Sequence, residues 1–185
     1  MKKIVRNILA VAVMLGTYTS YASQEASTLP ASYNINNHHI IKITDAKGEV
    51  IFSGQLNQTG KLTEFFDFTQ LKDGLYQVEI TKAYEIEINS VEVKNHVVTF
   101  IESAKEKIFK PVIRTENAKV MISKLALDSK EMTVELYFED DLFYSETLKG
   151  EKVLNRIYQL DQDLPGNYTA IIRSDNRVYV EHFSI

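Results

Sequence analysis

Leu71-Lys72-Asp73-Gly74-Leu75-Tyr76-Gln77-Val78-Glu79-Ile80 is echoed later in the same chain by Leu164-Pro165-Gly166-Asn167-Tyr168-Thr169-Ala170-Ile171-Ile172. Gly74 and Tyr76 stand 92 residues before Gly166 and Tyr168. Tyr76, Val78 and Ile80 alternate with Gln77 and Glu79, the period of a strand with one buried face. Tyr168, Ala170 and Ile172 repeat that period. A glycine permits a sharp approach to the strand. A tyrosine near its start can bond its hydroxyl to nearby backbone, as in the tyrosine corner of β-sandwiches.

The echo extends in both directions at the same offset. Upstream, Ile41 and Ile43 alternate with polar residues, Asp45-Ala46-Lys47-Gly48 signals a turn, and Val50-Ile51-Phe52 resumes an apolar run, so a hairpin is expected. In the second copy Val134 and Leu136, the turn Glu139-Asp140-Asp141 and Leu142-Phe143-Tyr144 follow the same order. The phenylalanine-rich run Thr63 to Phe68 reads as a further strand and corresponds to Ile157 to Leu160. Downstream, Ile86 and Ile88 correspond to Val178 and Val180, and Val91 and Val93 to Phe183 and Ile185. Between these pairs the alternation slips by one residue in both copies. A slip would move side chains to the other face, so a bulge or bend is expected at both places.

The copies differ at their starts. The second opens with Pro111-Val112-Ile113-Arg114 and Lys119 to Leu125, which read as two strands. Ninety-two residues before Lys119 to Leu125 lies the polar run Ser27 to Tyr33. The first unit therefore reads as short of strands, with Val97 to Phe100 available to fill the gap. An incomplete first unit would leave a sheet edge able to accept a partner strand. Ser103 to Lys110 is charged and reads as the linker.

Short alternating strands with turn signals between them predict an all-β chain. The expected architecture is two tandem Ig-like antiparallel β-sandwich modules after a signal peptide. The boundaries are 1–22 signal peptide, 23–37 flexible N-terminal segment, 38–102 first module, 103–110 linker and 111–185 second module. The signal reading rests on Lys2, Lys3 and Arg6, the short apolar run Ile8 to Leu15, and small residues at Ser20 and Ala22.

Charge and cysteine content exclude several functions. Removal of residues 1–22 takes Lys2, Lys3 and Arg6 and leaves 18 Lys+Arg against 25 Asp+Glu, a net charge of −7. Such a surface disfavours nucleic acid and anionic lipid, and no long apolar run remains for membrane insertion after signal cleavage. The chain has no cysteine, hence no disulfide, thiol nucleophile or lipidated cysteine.

Candidate chemistry is sparse. His38-His39 is conspicuous, but adjacent strand residues face opposite ways, so zinc would need one of them with Asp45 or His96. The acidic runs Glu139-Asp140-Asp141 and Asp161 with Asp163 offer oxygen ligands for calcium on turns, without the spacing of a dedicated calcium loop. His182 reads as a structural or surface histidine. No nucleophile elbow, phosphate loop or zinc-protease helix motif occurs. The expectation is a non-enzymatic protein with no cofactor, no metal site and no catalytic residue. A small carbohydrate- or calcium-binding module is the alternative.

The stretch Ile41-Lys42-Ile43-Thr44-Asp45-Ala46-Lys47-Gly48-Glu49-Val50-Ile51, with Phe66 to Leu71 and Gly74 to Ile80, resembles the β-sandwich modules of secreted Bacteroidetes proteins. It is similar to the C-terminal sorting domains of the type IX secretion system. The unit ending Gly166 to Ile185 resembles short exported Ig-like domains of unknown function in the same phylum. The resemblance spans residues 38–185 and implies a sandwich fold and an exported protein, periplasmic or secreted. It transfers no catalytic residue. The partner expected is another protein or a cell-envelope component; the sequence leaves oligomeric state open.

Overall fold

The computed structural model describes residues 34–36, 38–127 and 130–185. The signal-peptide reading at 1–22 lies outside the described residues. The first half comprises β1 (Asn34–Ile35), β2 (Ile40–Asp45), β3 (Val50–Gln55), β4 (Gly60–Lys61), the one-turn helix α1 (Leu62–Phe65), a 3-10 turn (Phe68–Gln70), β5 (Gly74–Thr81), β6 (Glu85–Lys94) and β7 (Val97–Phe109). Five strands form one antiparallel sheet in the order β3-β2-β5-β6-β7, and β1 pairs with β4 as a small second sheet. Alternation brings Ile41, Ile43, Tyr76, Val78, Ile80, Val91 and Val93 to one face. Ile35, Leu62 and Phe68 complete that core from the second layer.

Local chemistry explains the connections. In the β2–β3 turn Asp45 Oδ1 accepts from the amides of Lys47 (2.9 Å) and Glu49 (2.8 Å), and Gly48 takes φ +84°. The expected hairpin is therefore present. The phenylalanine-rich run is not a strand. The Lys61 amide donates to Glu64 and the Thr69 amide to Asp67, which stabilise helical turns at 62–65 and 68–70. Those turns gather the rings of Phe52, Phe66, Phe68 and Phe100, with centroids 4.8–5.9 Å apart along the chain of contacts.

The second half contains β8 (Val112–Glu116), β9 (Lys119–Leu125), β10 (Glu131–Phe138), β11 (Asp141–Lys149), β12 (Val153–Gln159), β13 (Asn167–Ser174) and β14 (Arg177–Ser184). The sheets β11-β10-β13-β14 and β12-β9-β8 enclose a second core. Val120, Ile122 and Leu154 meet Val134, Leu136, Ala170 and Ile172 there. All strand pairs are antiparallel, so the all-β sandwich reading holds.

The repeat is present in the topology. β3-β2-β5-β6 and β11-β10-β13-β14 have the same order and direction. Tyr76 Oη donates to Lys72 O and Tyr168 Oη to Leu164 O, each over 2.8 Å and four residues. The repeated tyrosine is thus the same corner bond twice. The second layers differ. β4 occupies the place of β12, and two-residue β1 stands where the second half has β9 and β8.

Three expectations are corrected. First, Ser103 to Phe109 is not a linker; it continues β7, where Glu106 to Phe109 pair with Ile88 to Glu85. Backbone pairing holds this strand, so its charged side chains give no apolar period. Only Lys110 and Pro111 lie between β7 and β8. Second, the 23–37 segment is not loose throughout: Asn34–Ile35 is a strand and Ile35 is fully buried. Third, the slip is not a bulge shared by β6 and β14. β5–β6 and β13–β14 run in unbroken register, and β6 shifts only against β7, between Ile88 and Ser90. Each of the two strands instead carries apolar residues first on the outer face, then on the inner. The duplicated bulge lies elsewhere: Ile51 in β3 and Phe143 in β11 are the extra residues of their ladders, 92 positions apart.

The first unit is short of strands in its second layer only; its main sheet is the larger. Its free edges are β3, blunted by the Ile51 bulge, and β7.

Candidate functional site

The zinc set read from the sequence does not converge. His38 sits at a turn with φ 72° and its Nδ1 is 3.4 Å from Gln55 Nε2. His39 is half-buried and its Nδ1 accepts from the Asn36 amide at 3.2 Å. Burial, with Lys82 nearby, holds the His39 imidazole below its ordinary pKa, although Glu87 opposes this. Asp45 is committed to its turn, and His96 Nδ1 donates to Thr69 O at 2.9 Å. Among the described residues no three His, Cys, Asp or Glu side chains are grouped to hold a metal ion.

The acidic turns are also engaged locally. Glu139 Oε1 accepts from the Asn167 amide and Asp161 Oδ1 from the Asp163 amide, both at 2.9 Å. His182 Nδ1 lies 2.9 Å from Thr169 Oγ1 on the neighbouring strand.

What the fold does assemble lies where the two halves meet. The β13–β14 turn, with Asp175 and Asn176 at φ 53° and 56°, presents Arg177 to the outer face of the first sheet. Arg177 Nη1 and Nη2 donate to Glu79 Oε1 and Oε2 at 3.0 and 2.7 Å. This fork-to-fork geometry raises the already high guanidinium pKa. Glu79 lies opposite Ile88 across β5–β6, on the face opposite the first core. Ile86 and Ile88 on that face are only 3% and 6% exposed, yet belong to neither core. A cleft of about 650 Å³ separates Glu106 and Ile108 of β7 from Thr133, Arg173 and Val178 of the second half.

Three further contacts hold this region. The Lys110 amide donates to Tyr84 O at 2.9 Å, and its Nζ to Lys82 O at 3.2 Å. On the other side of the turn, Asp175 Oδ2 lies 2.7 Å from Lys124 Nζ. Lys124 occupies an inward position of β9 after Val120 and Ile122, and its side chain is 2% exposed. The pair is an ion pair by distance, without the alignment of a hydrogen bond to that oxygen.

A different kind of surface lies on the outer face of β12-β9-β8. Leu125, Val153 and Ile157 are exposed, and Val112, Met121 and Ile157 line a shallow groove with Arg114 at its margin. Cross-strand pairing places Val153 beside Leu125, and Ile157 beside Met121.

Sequence reasoning missed the junction residues. Glu79 and Arg177 are 98 positions apart, with no local pattern to link them. Lys124 alone carried a signal, as a charge where the alternation calls for an apolar residue.

Residues 25–98 match the family described as a secretion system C-terminal sorting domain. The match spans the first module up to the second residue of β7, and 87 further residues follow it in this chain. No curated protein matches the chain. The family match indicates an exported or secreted protein.

Proposed function

We propose that this is a type IX-exported protein of the Bacteroidetes kind. In this reading its two sandwich modules act by protein–protein or cell-surface contact rather than by catalysis. The observation that carries the contact role is the apolar outer face of β12-β9-β8. Leu125, Val153 and Ile157 are 45%, 49% and 64% exposed there, as the pairs Val153–Leu125 and Ile157–Met121 on either side of Asn155 and Ser123. Exposed apolar side chains gathered on one sheet face favour a protein partner. The sorting-family match supports export, and among the described residues no three His, Cys, Asp or Glu side chains are grouped to hold a metal ion.

The test is crosslinking in intact cells of the tagged full chain, followed by fractionation and mass spectrometry. The proposal expects the chain outside the cytoplasm and joined to a protein neighbour. Ile157→Asp should remove that neighbour while export persists. Retention in the cytoplasm overturns the export half. An unchanged crosslink in Ile157→Asp overturns the contact face.

A further inference from the structure

We infer that the Arg177–Glu79 pair is a clasp that sets the angle between the two sandwiches. In this reading Lys110-Pro111 is the hinge about which they move when it is released.

The covalent connection is short but single. Between the end of β7 at Phe109 and the start of β8 at Val112 there are two residues outside the ladders. Proline fixes its own φ and biases Lys110 toward extended backbone, so rotation is confined to few torsions. Lys110 is tied to the β5–β6 turn through its amide and its ammonium, and therefore moves with the first module. Nothing covalent restrains the far side of the joint. There the restraint is the bidentate contact of Arg177 with Glu79.

The turn that carries Arg177 is itself braced. Asp175, two residues earlier, is held against buried Lys124 of β9, so the guanidinium is projected from a fixed base. Glu79 is equally rigid, since it sits within a continuous β2-β5-β6 ladder. Two rigid mounts and a planar fork make orientation specific.

What the clasp protects is visible in the repeat. Ile86 and Ile88 are buried on the outer face of β6, whereas their counterparts Val178 and Val180 on β14 are 54% and 47% exposed. The same positions are apolar in both copies, but only the face bearing Glu79 is covered. The cleft between Ile108 and Val178 shows that the apolar seal is incomplete. Modules joined by a small, partly polar contact rotate relative to each other by default. Opening would uncover Ile86 and Ile88.

The absence of cysteine makes the test direct. Lys94→Cys and Lys149→Cys, both exposed at strand ends, take spin labels, and pulsed dipolar spectroscopy reads the distance between modules. The full chain should give one narrow distribution. Glu79→Lys and Glu79→Gln should broaden it and increase binding of an apolar-surface dye. The swap of Glu79→Arg with Arg177→Glu should narrow it again. Unchanged width in Glu79→Lys overturns the clasp. So does a folded swap as broad as Glu79→Lys. Should the swap not fold, Glu79→Gln decides, since it keeps the side chain's size while removing its charge and one of its two acceptors, and unchanged width there overturns the inference.

Discussion

Replacing Asp175 by Asn removes the counter-charge of the most deeply placed ammonium among the described residues. Lys124 is 2% exposed at its side chain and Asp175 14%. Its other described acceptor is Leu125 O at 3.5 Å, the limit of a hydrogen bond. An uncompensated buried charge costs about 3–5 kcal/mol. Lys124→Met should cost less, about 1–3 kcal/mol, because Asp175 retains some access to water. Met fills nearly the same space and needs no partner. Lys124→Met combined with Asp175→Asn should return to within about 1–2 kcal/mol of the parent chain, since an apolar substitute for a buried pair is often neutral. The cycle therefore predicts coupling of at least about 2 kcal/mol. Urea unfolding followed by circular dichroism measures the series, and amide exchange in β9 and β13 assigns the loss to the second module. An unchanged midpoint for Asp175→Asn would refute the reasoning. So would a double variant damaged by the sum of the two singles.

Three further outcomes follow from other contacts. Tyr76→Phe and Tyr168→Phe each delete one 2.8 Å corner bond, and each should cost about 1 kcal/mol in urea unfolding; two neutral variants would empty the corner of energetic meaning. Gly166→Ala would place a Cβ 2.6 Å from the Phe138 ring and should cost about 1–3 kcal/mol. Its counterpart Gly74→Ala, whose nearest such atom is 3.9 Å away in Tyr76, should stay within about 0.5 kcal/mol, and equal losses at both sites would contradict the packing. Arg156 donates to Glu146 from Nε and Nη2, and Tyr158 Oη donates to it as well, which holds the Glu146 carboxyl below its ordinary value near 4.5. A lowered folded pKa means that the unfolded chain binds more protons, so this stabilisation is present above pH 4.5 and disappears as pH falls through the folded value. Glu146→Gln should flatten the acid limb of a stability–pH profile; a profile parallel to that of the parent would refute the assignment.

The repeated sheets were legible because Tyr76, Val78, Ile80 and their counterparts alternate, and alternation is what a one-sided sheet imposes. The corner bonds were legible for the same reason, since they recur at fixed spacing. β7 was not, because Glu102 to Lys107 are exposed and give no apolar alternation, and it is held by backbone pairing and by the ion pairs of Lys107 with Glu85 and Glu87 on β6. The helical turns at 62–70 were hidden by their phenylalanines, which suggest a strand until the bonds of Glu64 and Asp67 are seen. The slip was real in sequence but had another cause. Ile86 and Ile88 lie buried on the face opposite the first core, while the β5–β6 register runs unbroken past them. The His and carboxylate candidates do not converge, and among the described residues no three of them are grouped to hold a metal ion. The junction was invisible because its partners are brought together only by the packing of two separately folded cores.

The bulge shared by Ile51 and Phe143 also bears on how the chain avoids misassembly. Two neighbours with the same strand order can exchange equivalent strands while they fold, a hazard of tandem repeats. A bulge on the outermost strand of each copy interrupts the flat run of free amides that would otherwise invite the other copy to pair. The unlike second layers add a further barrier, because the two-residue β1 and β4 cannot replace the seven-residue β9 and β12. Duplication with divergence in one layer thus lets each half find its own strands although its neighbour carries a near copy of them.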